Sequence, residues 1–368
     1  MEIRKRDLLA AGVGLGAGLV ANGALAQTAG RGGEGGEAAG PAAGRGAAAR
    51  ADTPVSTGTQ PSTVDMNYKP RRVNKGIELL EDGQPIYYTD VVLGHHGVDP
   101  YAMGVKMAHT WADAVNISME HDSTLDFTGL RAFVQGLVDG GPTRSGHRTP
   151  MLSATTPISG WDEAFMRANI WVISSVLDCG IMDISLTHAR DPKAVQVASQ
   201  MAMRYPFDYP NTPKLPMEGR RGSSASFAAQ AWGVSPAKYV HIADLWPLNP
   251  RGEMLFGLKL EDKYADVTAA QSLALPGIAY AEYGGGDQHW SLNGLAGIPE
   301  DGTRVDIAAL PDMIAWQKTM QDLCRKNKVM YLGTGDVIEQ IKDGVKIIGG
   351  REAEAIRGRE YTKRKMPV

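Results

Sequence analysis

The sequence predicts an α/β protein with a (β/α)8, or TIM, barrel. Strand-like and helix-like segments alternate from residue 77 onward, and eight strand-like segments fit into residues 76–350. Such alternation is typical of βα units around a parallel sheet, and a (β/α)8 barrel usually takes roughly 250 residues. The alternative, a doubly wound open sheet, is disfavoured because no GxGxxG motif follows the first strand.

Each predicted strand is a short apolar run. In chain order, the strands are predicted at 86–93, 114–119, 149–154, 182–186, 254–260, 277–283, 328–332 and 345–348. Helices are predicted between them at 100–111, 127–138, 163–177, 192–203, 262–273, 308–325 and 336–342. Irregular insertions remain at 155–162 and at 205–216 with 219–222. Because long βα loops usually build or cover the active site of a barrel, we expect both to shape substrate access.

The composition is that of a folded domain with a full-sized core. Of the 368 residues, 43% are hydrophobic and 21% are charged, and the formal net charge is -3. Nucleic-acid-binding proteins usually carry a strong basic excess, so this charge argues against a nucleic acid partner. A small-molecule substrate is the expected partner.

The first residues have the three parts of a signal peptide: a basic start, a short apolar run and Ala24-Leu25-Ala26 before Gln27. Lys5-Arg6 resembles a twin-arginine export signal, so we expect cleavage after residue 26 and a periplasmic or secreted protein. The alternative is a membrane anchor, but the apolar run is short and interrupted by glycines. No stable membrane span is therefore expected after processing.

Three further boundaries follow from composition. Residues 27–75 are predicted to be a flexible leader, because the Ala, Gly and Pro content lacks apolar periodicity. Residues 76–350 form the predicted catalytic barrel, and residues 351–368 form a C-terminal tail. The apolar neighbourhoods of Cys179 and Cys324 predict buried free thiols, with a disulfide as the alternative.

Two acidic residues follow consecutive apolar strands of the predicted barrel. Glu261 ends the segment 254–261, and Asp287 ends the segment 277–287. The C-terminal strand ends of a barrel meet at one face, so both carboxylates are expected at one cavity. Two carboxylates with open positions suit Mg²⁺ or Mn²⁺. On the residues alone, solvated or helix-capping acids remain the alternative.

The second predicted strand ends in Asn116-Ile117-Ser118-Met119-Glu120-His121. Because the unperturbed pKa of imidazole lies near neutrality, His121 is a candidate general base. A structural histidine bonded to the backbone is the alternative. The residue must therefore be judged with its neighbours.

Six segments together resemble motifs of the HpcH/HpaI aldolase/citrate lyase family, the class II metal-dependent 2-oxo-acid aldolases. The resemblance runs in order over residues 86–349. The family motifs D-x-E-H, L-D-x-G, R-Y-P, G-x-R-G, V-Q-I-E and G-P-A-D correspond to residues 118–121, 177–180, 204–206, 219–222, 258–261 and 284–287.

The resemblance implies a (β/α)8 barrel and a retro-aldol type of carbon–carbon lyase. It implies that Glu261 and Asp287 hold a divalent metal ion, Mg²⁺ or Mn²⁺ first and Co²⁺ or Zn²⁺ as alternatives. The ion would stabilise the enolate left when the bond breaks. His121, oriented by Asp178, would act as the general base.

Substrate contacts are also implied, with departures from the family pattern. Gly285 and Gly286 would offer backbone N–H groups to the substrate carboxylate. Ser153 stands where the family has an arginine that contacts the substrate carbonyl, so it is a candidate substrate contact. Arg148 or Arg167 are the candidates to supply the missing cation from elsewhere.

Three more positions depart from the family. Ser118 replaces the first acid of D-x-E-H, and Lys259 replaces the glutamine of V-Q-I-E. Lys259 is a candidate catalytic cation near the enolate, with an ion pair to Glu261 or to another acid as the equal alternative. His188 is expected to face the substrate, with a third metal ligand or a second acid/base group as alternatives.

The sequence therefore predicts a metal-dependent carbon–carbon lyase acting on a hydroxy or oxo compound, with a substrate other than a simple 2-oxo acid. The alternative is a non-catalytic periplasmic ligand-binding barrel derived from the same fold. The family usually forms oligomers, so a homo-oligomer is expected as well.

Overall fold

The computed structural model describes residues 56–94, 97–121, 126–223 and 225–368. The predicted signal peptide, residues 1–26, and the first part of the predicted leader, residues 27–55, lie outside the described residues. Within the described ranges, none of the helices is both long enough and apolar enough to cross a membrane.

Eight parallel strands close into a barrel in which each strand pairs with the next along the chain and the last pairs with the first. The strands are β1 Ile86–Val91, β2 Ala114–Ser118, β3 Met151–Ser159, β4 Asp183–Thr187, β5 Leu255–Lys259, β6 Tyr280–Glu282, β7 Met330–Gly333 and β8 Ile347–Gly349. The predicted (β/α)8 barrel is confirmed.

The helices surround the barrel. They are α1 Lys75–Glu81, α2 Pro100–Met107, α3 Phe127–Gly140, α4 Glu163–Asp178, α5 Pro192–Gln196, α6 Ser226–Ala231, α7 Pro236–Ile242, α8 Lys263–Leu273, α9 Gly285–Asn293, α10 Pro311–Asn327, α11 Val337–Lys342 and α12 Glu352–Tyr361. A π-helical turn, Val197–Ala202, continues α5. All seven predicted helices occur, whereas α1, α6, α7, α9 and α12 were not predicted.

Aspartate caps fix where the helices after the strands begin. A carboxylate accepts backbone N–H groups of the first turn and so satisfies donors that have no partner within the helix. This contact occurs at the N-termini of α2, α3, α4, α5, α8 and α11, through Asp99, Asp126, Asp162, Asp191, Asp262 and Asp336. The caps thereby set the length of the loops at the C-terminal face of the barrel.

The two predicted insertions lie on different faces. Strand β3 continues to Ser159 with a register shift after Thr155, so much of the first insertion is strand. The second insertion follows the π-helical turn and precedes β5, so it connects a helix to a strand at the N-terminal face. The expectation that this second insertion shapes substrate access is wrong, because active sites of such barrels form at the opposite face.

The first described residues pack against α12 and the residues that follow it. Backbone N–H of Asp65 donates to the carbonyl of Lys365 at 2.8 Å, and backbone N–H of Thr57 donates to Glu352 at 2.7 Å. Residues 56–74 of the predicted leader thus contact the predicted tail, most of which is α12. The predicted domain boundaries themselves stay predictions.

A buried ionic cluster links α1, α12 and the residues after α12 to the start of β2. Asp113, next to the start of β2, lies 2.6 Å from Arg364 Nη1, 3.2 Å from Lys75 Nζ and 3.5 Å from Arg359 Nη2. All four side chains are at most 1% exposed. One carboxylate therefore joins three cations from α1, α12 and the residues after α12. Elsewhere in the core, Cys179 and Cys324 are free and buried, which confirms the prediction of buried thiols.

Candidate active site

Charged side chains converge at the C-terminal ends of β2, β4, β5 and β6. They come from the residues after β2 and after β4, from the last residue of β5 and the residues after it, from the last residue of β6 and from the first turn of α9. Parallel strands place these ends at one face of the barrel. The converging residues are Glu120, His121, His188, Lys259, Glu261, Glu282 and Asp287.

Lys259 lies at the centre of this group. Its Nζ is 2.7 Å from Glu261 Oε2 and also contacts Glu120 Oε2, and its side chain is 2% exposed. Burial alone would lower the pKa of Lys259, but the charges of Glu261, Glu120 and Glu282 raise it above its ordinary value. Lys259 is therefore a buried ammonium in ion pairs rather than a neutral amine.

Glu261 is fully buried and held from two sides. Its Oε1 accepts the backbone N–H of His188 at 3.0 Å, and its Oε2 faces Lys259. Burial raises the pKa of Glu261, and the nearby Glu120 carboxylate acts in the same direction. A β-carbon placed on Gly284 would lie 2.0 Å from Glu261 Oε2, so only glycine allows this close approach.

His188 is oriented by a second carboxylate. Its Nδ1 donates to Asp262 Oδ2 at 2.7 Å, and its Nε2 lies 3.6 Å from Glu120 Oε1. The backbone of His188 has φ 41°, in the left-handed region that few residues other than glycine adopt. Burial would lower the pKa of His188, but the hydrogen bond to Asp262 and the charges of Glu261 and Glu120 raise it.

His121 and Asp287 lie on the more open side of the site. His121 Nε2 is 3.3 Å from Glu120 Oε2 and 3.7 Å from Asp287 Oδ2. The side chain of His121 is 51% exposed, so substrate can reach the ring from solvent. The imidazole of His121 thus lies close to two carboxylates, those of Glu120 and Asp287.

The donor atoms fit a divalent cation. Among the described residues, two sets of three side chains offer ligand atoms within 4.8 Å of one another: a first set, Glu120, His188 and Glu261, and a second set, Glu120, His121 and Asp287. Glu120 Oε1 is buried and has no hydrogen-bond partner within the described part of the chain. Carboxylate and imidazole groups with a buried, unsatisfied oxygen suit a bound metal ion.

Glu120 was not predicted as a ligand, although it stands beside His121 in the sequence. The predicted ligands Glu261 and Asp287 belong to different sets, and Glu120 is the residue common to both. The family motif D-x-E-H contains this glutamate, so the signal was present in the sequence. The role of Glu120 as a ligand depends on Glu261, after β5, and Asp287, in α9, lying close to it in space, which a single sequence does not show.

The predicted pairing of Asp178 with His121 is not formed. Asp178 is the last residue of α4, which ends at the N-terminal face of the barrel, whereas His121 follows β2 at the C-terminal face. Asp178 Oδ1 instead accepts from Arg221 Nη2 at 3.2 Å. In the described part of the chain, the L-D-x-G and G-x-R-G segments therefore meet each other and not the site.

Ser153 is also placed away from the cluster. It pairs in register with Asp183, the first residue of β4, and its Oγ donates to Asp183 Oδ2 at 2.6 Å. Ser153 thus lies nearer the N-terminal face of the barrel than the residues at the C-terminal strand ends. Neither candidate arginine replaces the family cation: Arg148 packs on Gly233 near the N-terminal face, and Arg167 pairs with the exposed Glu163.

Gly285 and Gly286 form the first turn of α9, directly before Asp287. Free N–H groups at a helix N-terminus can bind an anion. No heavy atom lies within 4 Å of a β-carbon built on Gly286, so this turn faces open space. The two residues are therefore placed where a substrate carboxylate can approach.

Comparison with solved structures gives the relatives of this barrel. An HpcH/HpaI aldolase/citrate lyase family protein from Burkholderia cenocepacia J2315 matches with a TM-score of 0.54 and 16% identity over 78% of this chain and 95% of the other. The barrel resembles HpcH/HpaI aldolases. An HpcH/HpaI aldolase from Desulfitobacterium hafniense DCB-2 matches with a TM-score of 0.52 and 15% identity over 78% and 93%.

Macrophomate synthase is a third similar structure, with a TM-score of 0.51 and 18% identity over 78% of this chain and 87% of the other. Comparison of the sequence with protein-family models and with curated protein sequences gives no match. The resemblance to the HpcH/HpaI aldolases is thus confirmed as a likeness of fold.

Proposed function

We propose that the protein is a divalent-metal-dependent carbon–carbon lyase of the retro-aldol type, acting on a small hydroxy or oxo compound. The observation that carries the proposal is the position of Glu120, whose carboxylate oxygens lie within 4.8 Å of a ligand atom of Glu261 and of a ligand atom of Asp287. The carboxylates of Glu120, Glu261 and Glu282 act on the buried Lys259 and leave an excess of negative charge, which a divalent ion would neutralise.

Glu261 and Asp287, with Glu120 between them, would hold the ion. When bound there, a divalent ion supplies a Lewis acid that stabilises the charge left on a carbonyl oxygen as the carbon–carbon bond breaks. Mg²⁺ and Mn²⁺ are the first candidates, because carboxylates suit both.

His121 would take the proton from the hydroxyl group of the substrate. Its exposed ring and the distances of 3.3 Å to Glu120 and 3.7 Å to Asp287 support this role. A nearby carboxylate stabilises the imidazolium that forms when the base accepts the proton. In this proposal Glu120 and Asp287 take the supporting part that had been expected of Asp178.

The remaining groups would bind and orient the substrate. The N–H groups of Gly285 and Gly286 would donate hydrogen bonds to a carboxylate or another anionic group of the substrate. Lys259, a permanent cation beside Glu261, would add positive potential where negative charge develops. We further propose that the protein is exported and works in the periplasm or outside the cell.

A ligand-binding barrel without catalysis is the second candidate. The position of Asp178 favours this candidate. The His121–Asp178 dyad was expected of an enzyme and not of a binding protein, and Asp178 contacts Arg221 instead of His121. The two candidates differ in turnover, since only the lyase would release a carbonyl product from a hydroxy or oxo compound.

Metal analysis and thermal unfolding of the purified protein test the proposal. The comparison is between the wild-type protein, a Glu261→Gln/Asp287→Asn double variant and a control Asp322→Asn/Glu339→Gln double variant, whose side chains are 57% and 66% exposed. We expect bound metal and a Mn²⁺-dependent rise of the melting temperature in the wild type and in the control only. An equal Mn²⁺ response of a folded Glu261→Gln/Asp287→Asn variant would contradict the proposal.

A further inference from the structure

We propose that His188, oriented by Asp262, is a nitrogen ligand of the metal ion together with Glu120 and Glu261, and that the site prefers a transition-metal ion to Mg²⁺. The inference rests on the proposed function, because it takes a divalent ion to bind among these carboxylates. It adds a ligand and a metal preference, which the two predicted carboxylate ligands do not give.

Asp262 fixes the imidazole of His188. The Nδ1 of His188 donates to Asp262 Oδ2 at 2.7 Å, so the lone pair of the neutral ring is on Nε2. Asp262 cannot easily turn away: its Oδ2 also accepts from Arg190 Nε at 2.8 Å, and its Oδ1 accepts from the backbone N–H groups of Tyr264 and Ala265 at 2.9 and 3.0 Å. Metal-binding histidines usually have such a carboxylate on the second nitrogen.

The other nitrogen of His188 points to a carboxylate atom without a partner. His188 Nε2 lies 3.6 Å from Glu120 Oε1, too far for a hydrogen bond. Glu120 Oε1 is buried and accepts no hydrogen bond from any described residue, and the side chain of Glu120 is only 10% exposed. A cation between Nε2 and Oε1 would satisfy both atoms.

Lys259 leaves room for this cation. Its ammonium contacts Oε2 of Glu120, so Oε1 remains on the side of His188. The lysine and a metal ion would thus bind different oxygens of the same carboxylate. Ligand atoms of Glu120, His188 and Glu261 lie within 4.8 Å of one another, close enough for one ion to reach all three after small side-chain movements.

The backbone around His188 holds the ring in this place. The left-handed φ of 41° occurs at the residue that follows β4, and the backbone N–H of His188 is bonded to Glu261 Oε1 at 3.0 Å. The next N–H, of Ala189, donates to the carbonyl of Lys259 at 3.1 Å. Unfavourable backbone conformations of this kind persist where the surroundings fix them, often at functional sites.

An imidazole ligand changes which ion the site selects. Mg²⁺ prefers oxygen ligands in an octahedral arrangement, whereas imidazole suits Fe²⁺, Co²⁺ and Zn²⁺. The addition of one imidazole to the carboxylate ligands therefore favours a transition-metal ion. Two carboxylates alone would not give this preference.

Cobalt binding to the full-length protein tests the inference. In the Co²⁺-loaded wild type, we expect a strongly shifted, solvent-exchangeable proton signal in the NMR spectrum, from Nδ1–H of a coordinated histidine. In His188→Asn this signal should be absent and Co²⁺ should bind at least about tenfold more weakly, while Mg²⁺ affinity changes much less. Asparagine tolerates the left-handed backbone at this position, so the variant should fold.

Two further variants sharpen the test. Asp262→Asn keeps a side chain that can cap α8 but lacks the carboxylate that orients the ring, so we expect Co²⁺ affinity to fall by roughly 10- to 100-fold. His241→Gln removes an exposed histidine of α7 and should leave both the signal and the affinity unchanged.

The outcomes separate the two proposals. If His188→Asn binds Co²⁺ with wild-type affinity and keeps the shifted signal, the histidine ligand is wrong, although the lyase proposal stands if Glu261→Gln/Asp287→Asn has lost the metal. If that double variant binds Co²⁺ as tightly as the wild type, the proposed metal site fails and the inference fails with it.

Discussion

Lys259 Nζ lies 2.7 Å from Glu261 Oε2 inside the barrel, where both side chains are almost completely buried. The ammonium keeps two carboxylates together that would otherwise repel each other, because it also contacts Glu120. Lys259 is thus a resident cation beside the proposed metal site. It stabilises the protein without metal, and its charge opposes the binding of a second cation.

Lys259→Gln should therefore make the metal bind more tightly. The substitution removes a positive charge a few ångströms from the proposed site, where unit charges interact by several kcal/mol even at an effective dielectric constant near 20. We expect Mn²⁺ affinity to rise at least about tenfold, or about 1.4 kcal/mol, and the melting temperature without metal to fall. Calorimetric titration and thermal unfolding measure both, and unchanged or weaker Mn²⁺ binding would contradict the electrostatic argument.

Gly284→Ala should disrupt the site, whereas Gly286→Ala should not. The new β-carbon at residue 284 would lie 2.0 Å from Glu261 Oε2 and would displace the carboxylate, but a β-carbon at residue 286 meets no heavy atom within 4 Å. We expect Gly284→Ala to lose Mn²⁺ binding in a titration and Gly286→Ala to keep it. Equal affinities of the two variants would show that Glu261 does not hold the ion.

Asp113→Asn should destabilise the fold far from the site. The substitution leaves Lys75, Arg359 and Arg364 buried around a neutral side chain, and loss of one partner from a buried ionic cluster typically costs about 3–5 kcal/mol. Denaturant unfolding measures the free energy. The control is Asp322→Asn on the exposed face of α10, which should change it by less than about 0.5 kcal/mol; equal effects would show that the cluster is not important for stability.

Glu78 should contribute to stability at neutral pH and lose that contribution in acid. Burial would raise its pKa, but hydrogen bonds from His147, Tyr68 and the backbone N–H groups of Arg71 and Arg72 lower it from 4.5 to about 2. Because the pKa is lower in the folded state, the stabilisation is complete above the unfolded pKa near 4.5 and disappears as the pH falls toward 2.

Thermal unfolding between pH 7 and pH 2.5 measures this contribution. Glu78→Gln should lower the melting temperature at pH 7 and flatten its decline below pH 4.5. Glu339→Gln, at an exposed position of α11, serves as the control with a wild-type profile. A decline as steep in Glu78→Gln as in the wild type would assign the acid sensitivity to other carboxylates.

The barrel was predictable because its strands are short, almost fully buried segments with apolar runs, such as residues 255–258 of β5. The helices that were missed lack such a signal. Helix α9 begins with two glycines, which have low helix propensity. Helix α12 has no strong apolar face, and Arg359 within it is buried by an ion pair with Asp113 that only the folded chain reveals.

The site was predictable where a residue follows an apolar strand, as Glu261 and Asp287 do. Asp178 was assigned wrongly because a motif in the right order does not say on which face of the barrel a helix ends. The role of His188 could not be decided from the sequence, because its ring is oriented by Asp262, 74 residues further along the chain.

Hydrogen–deuterium exchange into small 2-oxo acids tests the central claim most directly, because it detects enolate formation without knowledge of the natural substrate. The protein is incubated with Mn²⁺ in D₂O with pyruvate or 2-oxobutanoate, and label at C3 is followed by mass spectrometry. The account predicts label with the wild type and with Asp322→Asn/Glu339→Gln, but not after chelation of the metal nor with Glu261→Gln/Asp287→Asn. Equal label with the wild type and with Glu261→Gln/Asp287→Asn would contradict it, because enolate formation would then not depend on the proposed metal site.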